Sequence, residues 1–256
     1  MRCVRKACMF ASKEIILDIA IPVFNEENRL KSGIEKMITF LKTENLLPQT
    51  QLSIADNGST DRTEEHAREL VNIYSNVRYL KVDQKGVGLA LKKAWGDSTG
   101  NWVGYMDVDL ATNIKHIKDV FRVLLDEQIE VVTGSRLLAE SEVNNRMLTR
   151  EIASRGFNKI LQCALGIHFT DGMCGFKFIK RSKFDFLMEK GVHNDEWFFC
   201  TELLVKAEWL CLNIHELPVQ WTDDRDSRVE LGKTIAKYLK EIRRLQLEKK
   251  HYERNV

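Results

Sequence analysis

The feature that most constrains the fold is a repeated order of short apolar segment, polar loop and amphipathic segment. Residues 15–23 are rich in β-branched side chains, and a polar loop at 25–28 leads into a run with apolar side chains at helical spacing. Short β-branched runs indicate strands, whereas apolar side chains every three to four residues indicate a helix. Alternating strands and helices predict a parallel sheet with right-handed crossovers.

This order recurs along most of the chain. Predicted strands cover residues 15–23, 51–55, 77–82, 102–106, 130–134, 169–179 and 211–219. Predicted helices cover residues 30–41, 63–74, 89–95, 114–125, 144–165, 197–207 and 232 to the end. We therefore predict an α/β fold with a Rossmann-like, mainly parallel twisted sheet flanked by helices. Ligands of such sheets bind at the carboxyl ends of the strands, where the polar loops fall.

Length and composition indicate an ordinary globular protein with one main domain. The chain has 256 residues, 44% of them hydrophobic and 30% charged, which suffices for a sizeable core. We predict a tail over residues 1–14, a single domain over 15–230 with halves at 15–112 and 113–230, and a basic amphipathic helix over 231–256. The net charge of +2 argues against a dedicated nucleic-acid binder.

Cysteine spacing and hydropathy bear on location. The six cysteines form no CxxC pair, so neither a zinc site nor a disulfide framework is expected, and a reducing cytoplasm is the simpler interpretation. No apolar stretch approaches the roughly 20 residues of a membrane span, and no signal peptide is evident. Lysines and arginines after residue 232 allow peripheral contact with the cytoplasmic face of a membrane. A plain surface helix explains them equally well.

An acidic pair follows one predicted strand directly. Asp107 and Asp109 come after the apolar residues 102–106, so both carboxylates are expected at the carboxyl edge of the sheet. Hard oxygen ligands suit Mg²⁺ or Mn²⁺, which also bind diphosphate oxygens. Taken alone, an Asp-x-Asp sequence at a strand end is more often a solvated turn.

Two further loops could approach a nucleotide. The sequence Asp56-Asn57-Gly58-Ser59-Thr60-Asp61 ends a strand and is equally typical of a turn with a helix cap. Lys85-Gly86-Val87-Gly88 opens a helix, and it offers a cation and backbone N–H groups to phosphates. It lacks the residues of a P-loop or a dinucleotide fingerprint.

The order of these motifs resembles a known family. The ordered segments are Ile21-Pro22-Val23-Phe24-Asn25-Glu26-Glu27, Asp56-Asn57-Gly58-Ser59-Thr60-Asp61, Gly86-Val87-Gly88-Leu89-Ala90 and Asp107-Val108-Asp109. They resemble the family 2 inverting glycosyltransferases of GT-A fold, and within them the polyprenyl- or dolichyl-phosphate glucosyl- and mannosyltransferases. Similar downstream segments are Gly134-Ser135-Arg136, Arg150 with Ser154, residues 170–177 and residues 197–204.

The resemblance implies roles for individual residues. It places a nucleotide sugar in the half at 15–112 and an acceptor in the half at 113–230. The implied nucleotide-sugar site consists of Pro22, Phe24, Asn25, Glu26, Asp56, Asn57, Gly58, Lys85, Gly86, Gly88, Asp107 and Val108. The implied metal ligands are Asp107 and Asp109, with Mg²⁺ or Mn²⁺ as cofactor. The implied acceptor-phosphate site is Arg136, Arg150 and Ser154, and the implied catalytic residues are Asp109, Arg136, Arg150, Asp171 and Glu202.

The chain departs from that pattern at two positions. The subgroup usually has aspartate where Asn57 and Cys200 stand, which weakens the carry-over for nucleotide recognition and leaves Glu202 as the acid of the second segment.

The expected activity is transfer of one sugar from a nucleotide diphosphate sugar to a polyprenyl phosphate. The resemblance favours UDP-glucose and leaves UDP-GlcNAc and GDP-mannose open. Two alternatives remain at this point: a soluble transferase acting on a glycan hydroxyl, and an inactive nucleotide-sugar-binding subunit.

Overall fold

The computed structural model describes residues 15–145, 147–223 and 231–254, except for the side chains of 231–235 and 250–254. The predicted tail at 1–14 and the residues 224–230 that close the predicted domain lie outside the described residues.

The elements follow one another much as the sequence pattern predicts. The strands are β1 Leu17–Val23, β2 Thr50–Asp56, β3 Val77–Lys81, β4 Trp102–Met106, β5 Val131–Ser135, β6 Glu142–Asn144, β7 Phe176–Lys180, β8 Ile214–Pro218 and β9 Gln220–Thr222. The helices are α1 Leu30–Thr43, α2 Thr63–Ile73, α3 Val87–Gly96, α4 His116–Val123, α5 Leu148–Leu165, α6 Arg181–Glu189, α7 Phe199–Trp209 and α8 Leu231–Arg254, with a 3₁₀ turn at Leu47–Gln49.

The central sheet has seven strands in the order β3-β2-β1-β4-β7-β5-β8. All pairs are parallel except those of β7, which runs antiparallel to β4 and β5. The chain winds outward from β1 to β3 and then returns to place β4 on the other side of β1. This reversal opens a crevice at the carboxyl ends of β1 and β4. The predicted α/β fold with a mainly parallel sheet is confirmed.

Several local predictions were wrong. Of the strand predicted at 169–179, only the last part is extended, as β7, and α6 follows it. The helix predicted from 144 begins at Leu148 and is preceded by β6. The short strands β6 and β9 form a separate parallel pair that the sequence pattern does not indicate. Segments of three residues are too short for a detectable period.

Alternating side chains of the strands form two apolar layers, one on each face of the sheet. Leu17, Ile19 and Ile21 of β1 pack with α1, α2 and α4, whereas Ala20 faces the layer of α3, α5, α6, α7 and α8. The buried side chains of α1 recur at the predicted helical spacing. Both faces of the sheet are thus covered, as a parallel sheet requires.

Helix α8 packs on the domain through one face. Its Tyr238, Ile242 and Leu245 are buried in the same layer as α5 and α7. Within the part of the chain that the structure describes, no helix is both long and apolar enough to cross a bilayer.

Candidate functional site

The crevice between β1 and β4 is built first from two loops that hold each other. Asn25, two residues after the end of β1, has a left-handed φ of 56°. Its backbone N–H donates to Ser59 Oγ at 3.0 Å, and its side-chain oxygen accepts from the Thr60 N–H at 2.8 Å. The N–H of Glu26 donates to Thr63 Oγ1 at 2.8 Å. The loops after β1 and β2 therefore form one wall.

Asp56 is buried at the end of β2 and is fully engaged within the chain. One carboxylate oxygen accepts from the Ser59 N–H and the other from the Tyr79 hydroxyl, both at 2.7 Å. Burial and the adjacent carboxylate raise the pKa of Tyr79 well above its usual value, so the phenol stays protonated and donates. Next to this pair, Gly58 adopts a φ of 80°, which glycine accommodates without strain.

Asn57 connects the second loop to the third. Its backbone N–H donates to the Val23 carbonyl at 2.9 Å, and its side-chain oxygen accepts from the Gly86 N–H. An aspartate here could accept the same hydrogen bond, so the departure at Asn57 keeps this link between the loops. The side-chain amide of Asn57 is therefore part of the crevice wall.

The third loop lies close to residues 194–199. The Lys85 ammonium stands 3.8 Å from the centre of the Phe24 ring, a cation–π contact. A methyl group on Gly88 would lie 2.7 Å from the Asn194 carbonyl oxygen, and one on Gly86 would lie 2.6 Å from that of Asp195. Both glycines are therefore needed for this close approach of backbones.

Asp107 and Asp109 stand where β4 ends. Asp107 is half-buried, and Asp109 is exposed and accepts from the Ala111 N–H at 2.9 Å. Val108, between them, is buried, and its carbonyl lies against Gly33 of α1, where a methyl group would come within 2.6 Å. Burial, together with repulsion from Asp109, raises the pKa of Asp107 to about 7.

The acidic pair suits a divalent ion that takes its remaining ligands from a bound substrate and from water. Among the described residues no group of three or more His, Cys, Asp or Glu side chains could hold a metal. Mg²⁺ commonly takes one or two carboxylates and completes its shell with phosphate oxygens and water. The mutual repulsion of the two carboxylates is what a cation would relieve.

Gly175 of the segment before β7 lies directly against Asp107. A methyl group at Gly175 would overlap Oδ2 of Asp107 and lie 2.8 Å from its Cγ. The carboxylate of Asp107 can occupy this position only because residue 175 is a glycine and has no side chain. The sequence pattern alone does not indicate this contact, although a glycine beside a strand is a known sign of a close approach.

The guanidinium of Arg136, which follows β5, is held in place by a bidentate ion pair with Asp171. Its Nε and Nη2 donate to the two carboxylate oxygens of Asp171 at 2.7 and 2.9 Å, and its backbone N–H adds a third bond at 3.1 Å. Burial would raise the pKa of Asp171, but the Arg136 pair holds it well below its usual range. Asp171 therefore remains an ionised acceptor.

The short strand β9 and the residue after it supply the other supports of the arginines. The guanidinium of Arg136 lies 5.3 Å from the ring centre of Trp221, and Arg150 donates to Asp223 at 2.8 Å. The same strand is joined to the loop after Asp109, because the Asn113 N–H donates to the Gln220 carbonyl at 2.9 Å. No motif in the sequence indicates Asp223 or Trp221 as a support of the arginines.

Ser154 and Glu202 have different surroundings. The Ser154 hydroxyl is buried and has no hydrogen-bond partner among the described residues. Glu202 is fully buried, accepts from the Asn194 N–H at 2.9 Å and forms an ion pair with Arg244 of α8, also at 2.9 Å. Lys206, one turn along α7, pairs in turn with Glu248 of α8. Glu202 thus connects two helices.

The doubly wound sheet, the acidic pair at its switch point and the loops around it define a GT-A glycosyltransferase. The sequence model described as Glycosyl transferase family 2 matches residues 18–187. The chain belongs to this family.

Curated relatives agree with this assignment. The chain is 31% identical over 248 residues to a dolichyl-phosphate beta-glucosyltransferase of Dictyostelium discoideum, which covers 90% of this chain and 74% of the relative. It is 28% identical over 236 residues to the glycosyltransferase AglD of Haloferax volcanii, with 90% of this chain but only 37% of AglD covered. The chain therefore spans little more than a third of AglD.

Solved structures share the fold. A glucosyl-3-phosphoglycerate synthase from Mycobacterium tuberculosis, in complex with Mn²⁺ and UDP-glucose, matches with a TM-score of 0.63 at 18% identity, covering 89% of this chain and 79% of that one.

Proposed function

We propose that this protein transfers a single sugar, with inversion, from a nucleotide diphosphate sugar to a polyprenyl phosphate, with UDP-glucose as the favoured donor. The observation that carries the proposal is the pair of arginines, Arg136 and Arg150, each of which is ion-paired with a buried carboxylate, Asp171 and Asp223 respectively. Planar forks held in this way match phosphate oxygens. The dolichyl-phosphate beta-glucosyltransferase relative supports a lipid-phosphate acceptor.

On the donor side, we assign the nucleotide sugar to the wall formed by the loops after β1, β2 and β3. Asp107 and Asp109 would hold Mg²⁺ or Mn²⁺, which when bound supplies positive charge for the departing diphosphate. The structural neighbour holds Mn²⁺ with UDP-glucose. Lys85 adds a positive charge to this wall, next to the start of α3.

On the acceptor side, the phosphate itself is the nucleophile. Its oxygen forms a bond to the anomeric carbon while the bond from that carbon to the diphosphate oxygen breaks, so the nucleoside diphosphate leaves with the electron pair. A lipid phosphate is largely ionised at neutral pH, and the reaction therefore needs positioning more than a general base. Among the described residues, Arg136 Nη1 has no hydrogen-bond partner and can bind a phosphate oxygen. Ser154 adds an unused hydroxyl on the helix of Arg150.

The test is transfer of radiolabelled sugar from UDP-glucose into an organic-extractable lipid, with and without EDTA. Label in the lipid that disappears with EDTA supports the proposal. Label in a water-soluble glycan would favour a hydroxyl acceptor, and nucleotide binding without any transfer would indicate an inactive subunit. UDP-GlcNAc and GDP-mannose serve as donor controls.

Metal binding should depend on pH through Asp107. With its pKa raised to about 7, the carboxyl is mostly protonated at pH 6 and mostly ionised at pH 8. Because a metal binds the ionised form, we expect Mn²⁺ affinity to be about tenfold lower at pH 6 than at pH 8. Titration followed by Mn²⁺ electron paramagnetic resonance checks this, and Asp107→Asn should abolish the dependence.

We assign Glu202 to the attachment of α8 and not to the reaction. Glu202→Gln removes the buried charge opposite Arg244, so we expect the free energy of unfolding to fall by about 2 kcal/mol. Glu65→Gln, which alters the exposed Arg62 pair, should cost less than about 1 kcal/mol. Urea denaturation measures both. A loss of turnover at 15 °C in folded Glu202→Gln protein would restore a catalytic role.

We also propose peripheral contact with the cytoplasmic face of a membrane, where a lipid acceptor would be found. The basic side chains of α8 that remain exposed, Lys237, Lys240 and Arg243, favour such contact.

A further inference from the structure

Helix α5 exposes large aliphatic side chains along one face. Leu148 is 73% exposed and Ile152 63%, and Ile160 and the preceding Met147 are also exposed. At 100° per residue, Leu148, Ile152 and Ile160 fall within one third of the helix circumference. Arg150 and Ser154 lie on the opposite side, with the buried Phe157 and Leu161. The helix therefore carries the proposed acceptor site inward and an apolar stripe outward.

The charges around this stripe are positive. Arg155 and Lys159 are exposed on the same side. The one acidic residue of α5, Glu151, is half-buried and forms an ion pair with Arg155. The other charged side chains described between 147 and 165 are all cations.

Helix α8 lies beside α5 and extends the surface. The rings of Phe157 and Tyr238 are 5.4 Å apart, and further along, Gln246 and Lys249 donate to the carbonyls of Ala164 and Leu165 at 3.2 and 2.9 Å. Successive contacts advance along both helices, so they run in the same direction. The described outer side chains of α8 include Leu239 and Leu247 with Lys237, Lys240 and Arg243, whereas Glu241 and Glu248 pair inward with Arg244.

We propose that the outer stripe of α5, extended by the outer side chains of α8, is the surface that docks on an anionic lipid bilayer. We call it the α5 face, comprising Met147, Leu148, Ile152, Arg155, Lys159 and Ile160. Aliphatic side chains flanked by exposed cations, with one half-buried acid that is paired with Arg155, suit the boundary between headgroups and acyl chains. The proposal rests on the proposed function, since it defines how Arg150 reaches a phosphate anchored in that bilayer.

The consequence is geometric. With the α5 face on the bilayer, Arg150 and Ser154 lie one helix diameter, about 10 Å, from the lipid surface. A polyprenyl phosphate can then bind the arginines while its chain stays in the membrane. The wall formed by the loops after β1, β2 and β3, which we call the donor wall, stays open to a water-soluble nucleotide sugar.

Flotation of the full chain with vesicles of phosphatidylglycerol and phosphatidylcholine tests the proposal. The test variant is Leu148→Glu/Ile152→Glu, and the matched control is Ile73→Glu, because Ile73 is 66% exposed on α2. We expect the partition coefficient of the double variant onto these vesicles to fall by about tenfold or more, and the control to bind as wild type does. Binding should also weaken in pure phosphatidylcholine and at high salt.

Two results would overturn the α5 face: no flotation of the wild type with anionic vesicles, or equal flotation of the double variant and the control. A dimer in sedimentation that the double variant converts to a monomer would instead assign the face to a second copy of the chain. Transfer to a short-chain, water-soluble polyprenyl phosphate should be equal in all folded variants. Its absence from the wild type would contradict the proposed function and leave the vesicle result standing.

Discussion

Arg136→Lys is expected to lower sugar transfer to a polyprenyl phosphate by about 100-fold or more while leaving the nucleotide affinity within about twofold of wild type. Lysine preserves the charge beside Asp171 but has no planar fork. It cannot bind Asp171 through two nitrogens and lie against Trp221, as Arg136 does, and still offer a third nitrogen to a phosphate, as we propose for Arg136. The loss therefore falls on the acceptor.

Lysine is preferable to alanine at this position. Alanine would leave Asp171, which is fully buried, without its counter-ion, and an unpaired buried charge costs about 3–5 kcal/mol. Unfolding would then mimic loss of activity. Arg150→Lys tests the second fork in the same way, because Asp223 keeps a cation beside it.

The measurements separate binding from transfer. Titration calorimetry with UDP and Mn²⁺ reports the donor side, and initial rates against a short-chain polyprenyl phosphate report kcat and KM. Arg122→Lys is the control, since Arg122 pairs with Asp119 on the exposed surface of α4. Full activity in both Arg136→Lys and Arg150→Lys would refute the phosphate-acceptor assignment and favour a hydroxyl acceptor.

The donor wall illustrates what sequence can predict. Its loops follow short apolar strands, and the strands are parallel neighbours, so the motifs after β1, β2 and β3 had to meet at one edge of the sheet. No long-range information was needed beyond the order of the elements. The hydrogen bonds of Asn25 with Ser59 and Thr60 then join two of these loops, as expected from the predicted neighbouring strands.

The acceptor side was less predictable because its supports are distant in sequence. Arg150 and Asp223 are 73 residues apart, and Asp223 follows a three-residue strand with no detectable pattern. For Glu202 the difficulty is different, because here the sequence suggests a role but not the partner. Its motif suggested a site residue, but its ion pair with Arg244 depends on where α8 packs. An acidic residue in a motif does not reveal its partner.

Gly175→Ala is expected to weaken Mn²⁺ binding by tenfold or more, on the order of 1.4 kcal/mol or above, and to lower transfer at least as much. The added methyl group would overlap Oδ2 of Asp107. Gly175 does not have a left-handed φ, so alanine suits the backbone and the conflict lies with the carboxylate. Because Asp107 is half-buried at the strand end, its side chain can turn away without unfolding β4.

The control is Gly96→Ala, because a methyl group there meets nothing within 4 Å. Its Mn²⁺ affinity should equal that of wild type, and both alanine variants should unfold within about 2 kcal/mol of wild type. Equal Mn²⁺ affinity in Gly175→Ala would show that Asp107 tolerates the displacement or does not bind the metal.

A double-mutant cycle with Asp107→Ala distinguishes an effect that acts through Asp107 from a general loss of structure. If Gly175 acts through Asp107, then Gly175→Ala should have no further effect on Mn²⁺ affinity once Asp107 is alanine, and the coupling free energy should equal the whole effect of the single variant. An effect that is the same in both backgrounds would place the damage elsewhere in the crevice. Full coupling would make the absence of a side chain at 175 a requirement of the metal site, because the space that a methyl group would fill is occupied by the ligand itself.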